Sequence, residues 1–262
     1  MPQTFKTVEI ISIGEELLIG KVINTNATWL AKEITKCGSQ VRRIITVGDN
    51  IKEIVSTINE AIKRETDIII TTGGLGPTFD DMTMKAISIA VEKPLELNQE
   101  ALEALKNSLE KKGLKLIKSR IKMAYLPRES KIIPNNVGTA LGAIINYKGK
   151  KIIVLPGIPE EMKDMFTRKV VKILTSERKY LENEFIIEGV PEAELAPTIN
   201  ELMKEIKSIY IKSHPNVKRG KPWIRLHIYS REYTQKEFDK ICNMIKEKII
   251  LTHKCNLTAK QK

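Results

Sequence analysis

The run "DIIITT" (67–72) is apolar almost throughout and leaves directly into "GGLGP" (73–77), and this pairing constrains the fold more than any other stretch. A strand without polar alternation must be covered on both faces, as a central strand of a parallel sheet is. "TVEIISI" (7–13), which stops at Gly14, and "VRRIITV" (41–47) read as two further strands of the same sheet, each followed by a helical pattern. Ala27, Leu30, Ala31 and Ile34 share one helix face ahead of Gly38. Ile51, Ile54, Val55, Ile58 and Ile62 share another after Asn50, with Glu53 at capping-box spacing. Strands alternating with helices predict an α/β fold with a mostly parallel sheet and right-handed crossovers.

Helical patterns continue over 80–91 and 98–112, the second opened by Asn98 and closed by Gly113. "SKIIP", "GAIINY" and "KKIIVL" then predict short strands, the last two joined as a hairpin across "KGK", before "PGIPEEMKDMFTRKVVKIL" enters a helix with proline and acids in its first turn. A first domain over 1–175 closes there. Residues 176–262 predict a small α+β domain: strand 185–190, helix 192–206, strands 208–213 and 223–230, and helix 235–249. "THKCNLTAKQK" (252–262) reads as a frayed tail.

With 42% hydrophobic and 29% charged residues and no apolar run near the roughly 18 that a span requires, the composition predicts a soluble protein without a membrane segment. The start, "MPQTFKTVEI", lacks a secretory pattern, so a cytoplasmic location is expected. Cys37, Cys242 and Cys255 are scattered and suggest neither disulfides nor a zinc site. The net charge of +12 permits a nucleic-acid partner without favouring one, because lysines are spread over nearly every amphipathic segment, as on a charge-rich thermophile surface. The clearest basic cluster, "HPNVKRGKPW" (214–223), reads as a solvated hairpin loop. His214, His227 and His253 suit surface or packing roles, and Trp29 suits a core or interface.

The carboxyl edge of an open α/β sheet is where ligands bind, and glycines there let backbone approach an anion. The amides of Gly73, Gly74 and Gly76 are candidates to cradle a phosphate, aided by the positive end of a helix expected to start near Asp80. Asp80 and Asp81 would repel that phosphate unless a divalent cation sits between them, so they predict a metal. The structural alternative is an N-cap at Asp80, a first-turn acid at Asp81 and a tight glycine turn. Neither a P-loop nor a GxGxxG fingerprint is present. "SIGEELLIG" (12–20) places Gly14, Glu15 and Glu16 at the same edge, where they could share the cation.

"GEELLIGKVINTNATWLAKEI", "TTGGLGPTFDDMT", "PNNVGTALG" and "LPGIPEEMKDMF", in that order, resemble the amino-terminal portion of the competence/damage-inducible protein A (CinA-like) family, whose core is the molybdopterin-binding, molybdenum-cofactor-biosynthesis domain. The resemblance covers about residues 7–170, and more loosely the α+β module. It implies a three-layer αβα sandwich with its ligand at the carboxyl ends of the strands. It also implies a homodimer and an ADP-ribose pyrophosphatase dependent on a divalent metal, Co2+ or Mg2+, and on K+. The deamidase activity of longer members is not expected of this chain. By position, Thr72, Gly73, Gly74, Gly76 and Pro77 would bind the pyrophosphate, Asp81 and Glu15 would hold the metal and act in catalysis, and Thr139 and Gly157 would line the nucleotide pocket. Gly14, Asp80, Thr83 and Pro156 complete the implied ligand-binding set. Glu15 stands where many relatives have aspartate, and its longer arm alters the metal geometry.

The leading expectation is therefore metal-dependent hydrolysis of ADP-ribose or a related nucleoside diphosphate sugar, on a scaffold without the Nudix box. One alternative is pterin-nucleotide binding or adenylyl transfer in molybdenum-cofactor assembly. Another is a non-catalytic nucleotide or nucleic-acid binder.

Overall fold

A computed structural model of the protein describes residues 5–176, 180–218 and 221–259. Its contacts divide the chain into two compact units, Met1–Glu177 and Arg178–Lys262.

The first unit runs β1 (Thr7–Ile13), α1 (Glu15–Leu18), α2 (Thr25–Lys36), β2 (Gln40–Val47), α3 (Ile51–Lys63), β3 (Ile68–Thr72) and α4 (Thr83–Ala90). It continues through β4 (Leu95–Leu97), α5 (Gln99–Lys111), α6 (Lys118–Ile121), β5 (Tyr125–Pro127), β6 (Lys131–Ile133), β7 (Gly142–Tyr147) and β8 (Lys150–Leu155). α7 (Pro159–Met165) then passes through a π-helical stretch, Phe166–Val170, into α8 (Val171–Leu174).

Six of these strands form one sheet in the order β2-β1-β3-β8-β7-β6. The pairs β1–β2, β1–β3 and β3–β8 are parallel, whereas β7 and β6 are added antiparallel through the expected hairpin, which turns at Lys148 and Gly149, both at positive φ. The chain leaves β1 toward β2 on one side and returns to β3 on the other. That change of direction opens a crevice at the carboxyl ends of β1 and β3, the place where such sheets bind ligands.

Both faces of the sheet are covered, as the unalternated strands require. Val8, Ile10, Ile68, Ile70 and Ile153 pack on one side with Leu30 and Ile34 of α2 and Met162 of α7. Ile11, Ile69, Ile152 and Val154 pack on the other with Ile54 and Ile58 of α3, Ile87 of α4 and Leu105 of α5. The result is the three-layer αβα sandwich. Asn50 caps α3 through hydrogen bonds from the Lys52 and Glu53 amides. Trp29 meets Phe166 edge-on at 5.3 Å, a packing role. The helix expected from residue 80 begins at Thr83, because Thr78 to Asp81 close a turn of their own, so Asp80 caps nothing. The strands β4 and β5 pair with each other, an element too short to show a periodicity.

The second unit runs β9 (Leu181–Glu188), α9 (Glu192–Glu205), β10 (Ile209–Lys218), β11 (Lys221–Ser230), α10 (Gln235–His253) and β12 (Asn256–Ala259). Its sheet has the order β10-β11-β9-β12 and is antiparallel throughout. Ile187, Ile224, Leu226 and Ile228 of the sheet pack with Leu195 and Leu202 of α9 and with Phe238 and Ile245 of α10. The expected frayed tail is corrected here: α10 continues to His253, Lys254 turns the chain at φ 50, and Asn256–Ala259 pairs with β9. His253 Nε2 lies 2.9 Å from Thr198 Oγ1, a packing contact. The basic cluster is not the loop expected: 214–218 belong to β10 and 221–223 to β11, paired with each other, while Arg219 and Gly220 lie outside the described residues. The three cysteines are free thiols. Among the described residues no helix is long and apolar enough to cross a membrane.

Candidate functional site

The crevice between β1 and β3 is built from the loops that leave β1, β3 and β8. Ser12 of β1 pairs with Thr72 of β3, and Thr72 with Leu155 of β8, so these three strands end level with one another. Gly14 follows β1, Gly73 and Gly74 follow β3, and Pro156 and Gly157 follow β8.

The turn after β3 is glycine for steric reasons. Gly73 has φ +110, and a methyl group there would sit 2.1 Å from the Ile13 carbonyl oxygen; Gly74 has φ +65, and a methyl there would sit 2.3 Å from Thr83 Oγ1. Thr83, fully buried, donates its hydroxyl to the Gly73 carbonyl at 2.8 Å and its amide to the Gly74 carbonyl at 3.2 Å. The first residue of α4 therefore holds the turn, and its hydroxyl is spent on that task.

The amides divide into two sets. Those of Gly14 and Gly73 are used within the sheet, bonding the Val47 and Leu155 carbonyls at 3.0 and 3.1 Å. Those of Gly74, Leu75 and Gly76 have no hydrogen-bond partner among the described residues. The sequence nominated Gly73, Gly74 and Gly76; the cradle that is open is Gly74, Leu75 and Gly76, because Gly73 stays tied to β8. Pro77, next in the loop, carries no N–H.

The two acids expected to share a cation lie on different loops. Asp81 folds back on its own turn: its Oδ2 accepts from the Thr78 amide at 2.8 Å and from the Thr78 hydroxyl at 2.6 Å, and it lies so near Gly76 that a methyl there would be 2.5 Å away. Asp80 also accepts from the Thr78 hydroxyl, a bond that holds its carboxyl below the usual carboxylate range. The Glu15 amide donates to Asp49 at 2.8 Å and its carboxylate lies against Gly48, on the β2 side. Among the described residues no group of three or more His, Cys, Asp or Glu converges as a metal cage.

Two polar residues were not singled out by the sequence. Asn26 of α2 donates from Nδ2 to the Gly157 carbonyl at 2.7 Å and to Thr72 Oγ1 at 3.4 Å, tying the β3 and β8 exits together; Thr72 in turn donates to the Pro156 carbonyl at 2.8 Å. Ser12 Oγ and Asn26 Oδ1 are buried without a partner, and both residues line a cavity of about 110 Å³ with Glu16, Asn24, Thr72 and Gly157. Orphaned buried oxygens call for an explanation, and a ligand or water in that cavity supplies one. The signal was "NTN" in the quoted "GKVINTNATW", which helix periodicity treats as a cap and passes over.

The loop 134–141 reaches the same edge of the sheet, since Gly142 opens β7 beside the end of β8. Asn135 organises it: Oδ1 accepts from the Val137 and Gly138 amides at 2.9 and 2.7 Å, while Nδ2 donates to the Ala140 carbonyl at 2.8 Å and to Glu161 Oε2 at 2.6 Å. Glu161 is almost fully buried, which pushes its carboxyl up against the opposing Asn135 hydrogen bond. Thr139 sits half-buried in this loop.

Residues 9–176 match the family described as a probable molybdopterin binding domain. The chain belongs to that family. Protein PAE0875 of Pyrobaculum aerophilum is 41% identical over 92% of each chain, and a protein of Sulfurisphaera tokodaii is 43% identical over 84% of each. Among solved structures, that of the protein CinA from Thermoplasma acidophilum, of unknown function, has a TM-score of 0.60 and 37% identity over 64% of this chain and 99% of that one. The domain resemblance expected from the four motifs is thus found, and it falls on the first unit.

Proposed function

We propose that the first unit binds a phosphorylated pterin or pterin nucleotide, with a phosphate seated on the turn after β3. The observation that carries this reading is the row of partnerless amides at Gly74, Leu75 and Gly76, in the crevice where the strand order reverses. Membership of a probable molybdopterin-binding family supports the pterin. In the adjoining cavity Asn26 Oδ1 would accept from a ligand hydroxyl, and Ser12 Oγ would either donate or accept. Gly73 and Thr83 shape the turn, and Asn26 fixes its distance from the β8 exit.

A second reading is hydrolysis of the pyrophosphate bond of ADP-ribose, favoured by the position of Asp81 against Gly76 in the same loop. Magnesium sites often use one or two carboxylates together with phosphate oxygens of the ligand, so the absence of a protein cage among the described residues is compatible with such an ion. Asp81 would hold it, with Glu15 a second candidate from the neighbouring loop; bound there, the ion would neutralise charge on the bridging phosphates.

One experiment separates the readings. The protein is titrated with a pterin monophosphate, followed by the pterin's own fluorescence. In parallel it is incubated with ADP-ribose, Co2+ or Mg2+, and K+, with products separated by chromatography beside Asp81→Ala. Saturable pterin binding without turnover is the expected result. Metal-dependent AMP and ribose 5-phosphate that vanish in Asp81→Ala would replace it with the hydrolase. Neither binding nor turnover would overturn both.

A further inference from the structure

The loop that carries the open amides borders a second, larger cavity. Thr72, at its start, lines the small cavity of Ser12 and Asn26, while Phe79 and Asp81, near its end, line one of about 480 Å³. That volume falls in the range of small-molecule pockets.

Phe79 is 93% exposed, the most exposed large apolar side chain among the described residues. Leaving a phenyl ring in water forgoes the gain of burying it, and nothing in the turn requires an aromatic there: Thr78, Asp80 and Asp81 make its hydrogen bonds. The opposite element supplies Tyr125 of β5, itself 37% exposed. Met82 and Met84, which also pack against the core, provide further apolar lining and thioethers that favour aromatic contact.

The polar groups have the sign that an anion needs. Lys85 and Lys122 line the same cavity. Lys122 also donates to the Thr78 carbonyl, tying the segment ahead of β5 to the phosphate turn. The lysines outnumber Asp81, whose carboxylate is occupied by Thr78.

We propose that this cavity is the ring subsite of the phosphate site: a planar heteroaromatic ring, pterin or purine, stacks between Phe79 and Tyr125 while its phosphate lies on the loop amides, and Lys85 and Lys122 hold further negative charge of the ligand. This rests on the phosphate-site reading above and adds to it which residues select a ring. Phe79 and Tyr125 are specificity residues here, and the loop acts as a divider with the phosphate at its crest.

The test compares probes that share a phosphate and differ in the ring: AMP and pterin monophosphate against ribose 5-phosphate, by calorimetry on the whole chain, with Phe79→Ala, Tyr125→Ala and Phe79→Tyr. Loss of a stacking ring weakens a base contact by about tenfold. Phe79→Ala and Tyr125→Ala are expected to weaken the ring-bearing probes by about that factor, to leave ribose 5-phosphate within about twofold, and to be rescued at position 79 by tyrosine. Phe79 is exposed, so its variants test the subsite even if Tyr125→Ala folds poorly. Equal affinity of the three probes for the parent protein, or an equal loss of all three in Phe79→Ala, would overturn the ring subsite and leave the phosphate site standing. Failure of every probe to bind would overturn both.

Discussion

Gly73→Ala is the sharpest test of the turn, and Gly113→Ala is its control. Both glycines have positive φ, +110 and +64, but the methyl added at Gly113 meets nothing within 4 Å, whereas at Gly73 it meets the Ile13 carbonyl oxygen at 2.1 Å. The control therefore isolates backbone strain, about 1 kcal/mol for a non-glycine residue in the left-handed region. At Gly73 a more restricted φ is joined by an overlap exceeding about 1 Å with the backbone of a fully buried strand, which cannot yield as a side-chain tip would. A cost of roughly 2–4 kcal/mol follows. At about 2–4 °C per kcal/mol for a unit of this size, the first unit should melt roughly 2–4 °C lower in Gly113→Ala and 5–15 °C lower in Gly73→Ala. Calorimetric melting of the two variants reads the difference, and titration with inorganic pyrophosphate reads the site: affinity should fall at least about tenfold in Gly73→Ala, because the amides of Gly74 to Gly76 move with the turn, and stay unchanged in Gly113→Ala. If Gly73→Ala melts like the control and binds like the parent, the turn is plastic, and the argument that its shape builds the anion cradle fails.

Arg64→Ala should destabilise the first unit by about 3 kcal/mol, because Glu9 is fully buried and the Arg64 guanidinium reaches both of its oxygens, leaving Arg43 at 3.6 Å as partial compensation. Burial pushes the Glu9 carboxyl up, but hydrogen bonds from Arg64 and Thr66 outweigh it and hold the group below its ordinary value, so its contribution is present above about pH 4.5 and lost as pH falls through the lowered value. The melting deficit of Arg64→Ala should thus shrink on acidification, and a deficit independent of pH would sink the ion-pair account. Glu161 runs the other way: burial raises its carboxyl, so the folded state loses stability as pH climbs from about 4.5 through the raised value. Glu161→Gln keeps an oxygen for Asn135 and should be as stable as the parent or more so near neutrality; a large loss in thermal melts at pH 7 would show that the ionised carboxylate is needed. Ser12→Ala removes a buried hydroxyl without a partner and should leave melting unchanged or slightly raised while weakening pterin-phosphate binding; the reverse pattern in the same two assays would mean that the hydroxyl serves the fold.

The fold was legible where periodicity and covering agreed. β3 could be read as central from "IIITT" alone, since all five of its residues are buried. α3 could be read from its apolar spacing and Asn50. Legibility failed where an element draws its stability from elsewhere. β12 is four residues joined to the edge of β9, with Leu257 as its buried anchor, and β4 and β5 are three residues each, held by pairing with each other. A strand of three or four residues is too short to carry a pattern of its own when its stability comes from a partner tens of residues away. The start of α4 was displaced by three residues for a related reason: Thr78 competes for the carboxylates that would otherwise cap a helix at Asp80.

The site was legible as a set of loops but not as a set of atoms, and the difference is one of hydrogen-bond accounting. A sequence can show that glycines follow a buried strand, yet only the register reveals that the Gly73 amide is already bonded to Leu155 while the next three are open. The same holds for the acids. "DD" and "EE" look equivalent as charge, but Asp81 spends an oxygen on Thr78 and Glu15 sits against Gly48, so a cation between them would have to draw on the ligand's own oxygens. Asn26 shows the converse. Its residue type suggests a helix cap, but Asn24 takes the capping role by accepting from the Ala27 amide, and this frees Asn26 to join Thr72 to Gly157 with one oxygen left over. The residues proposed to bind the ligand include ones, like Asn26, whose ordinary structural duty has been taken by a neighbour, and that property exists only once the chain has folded.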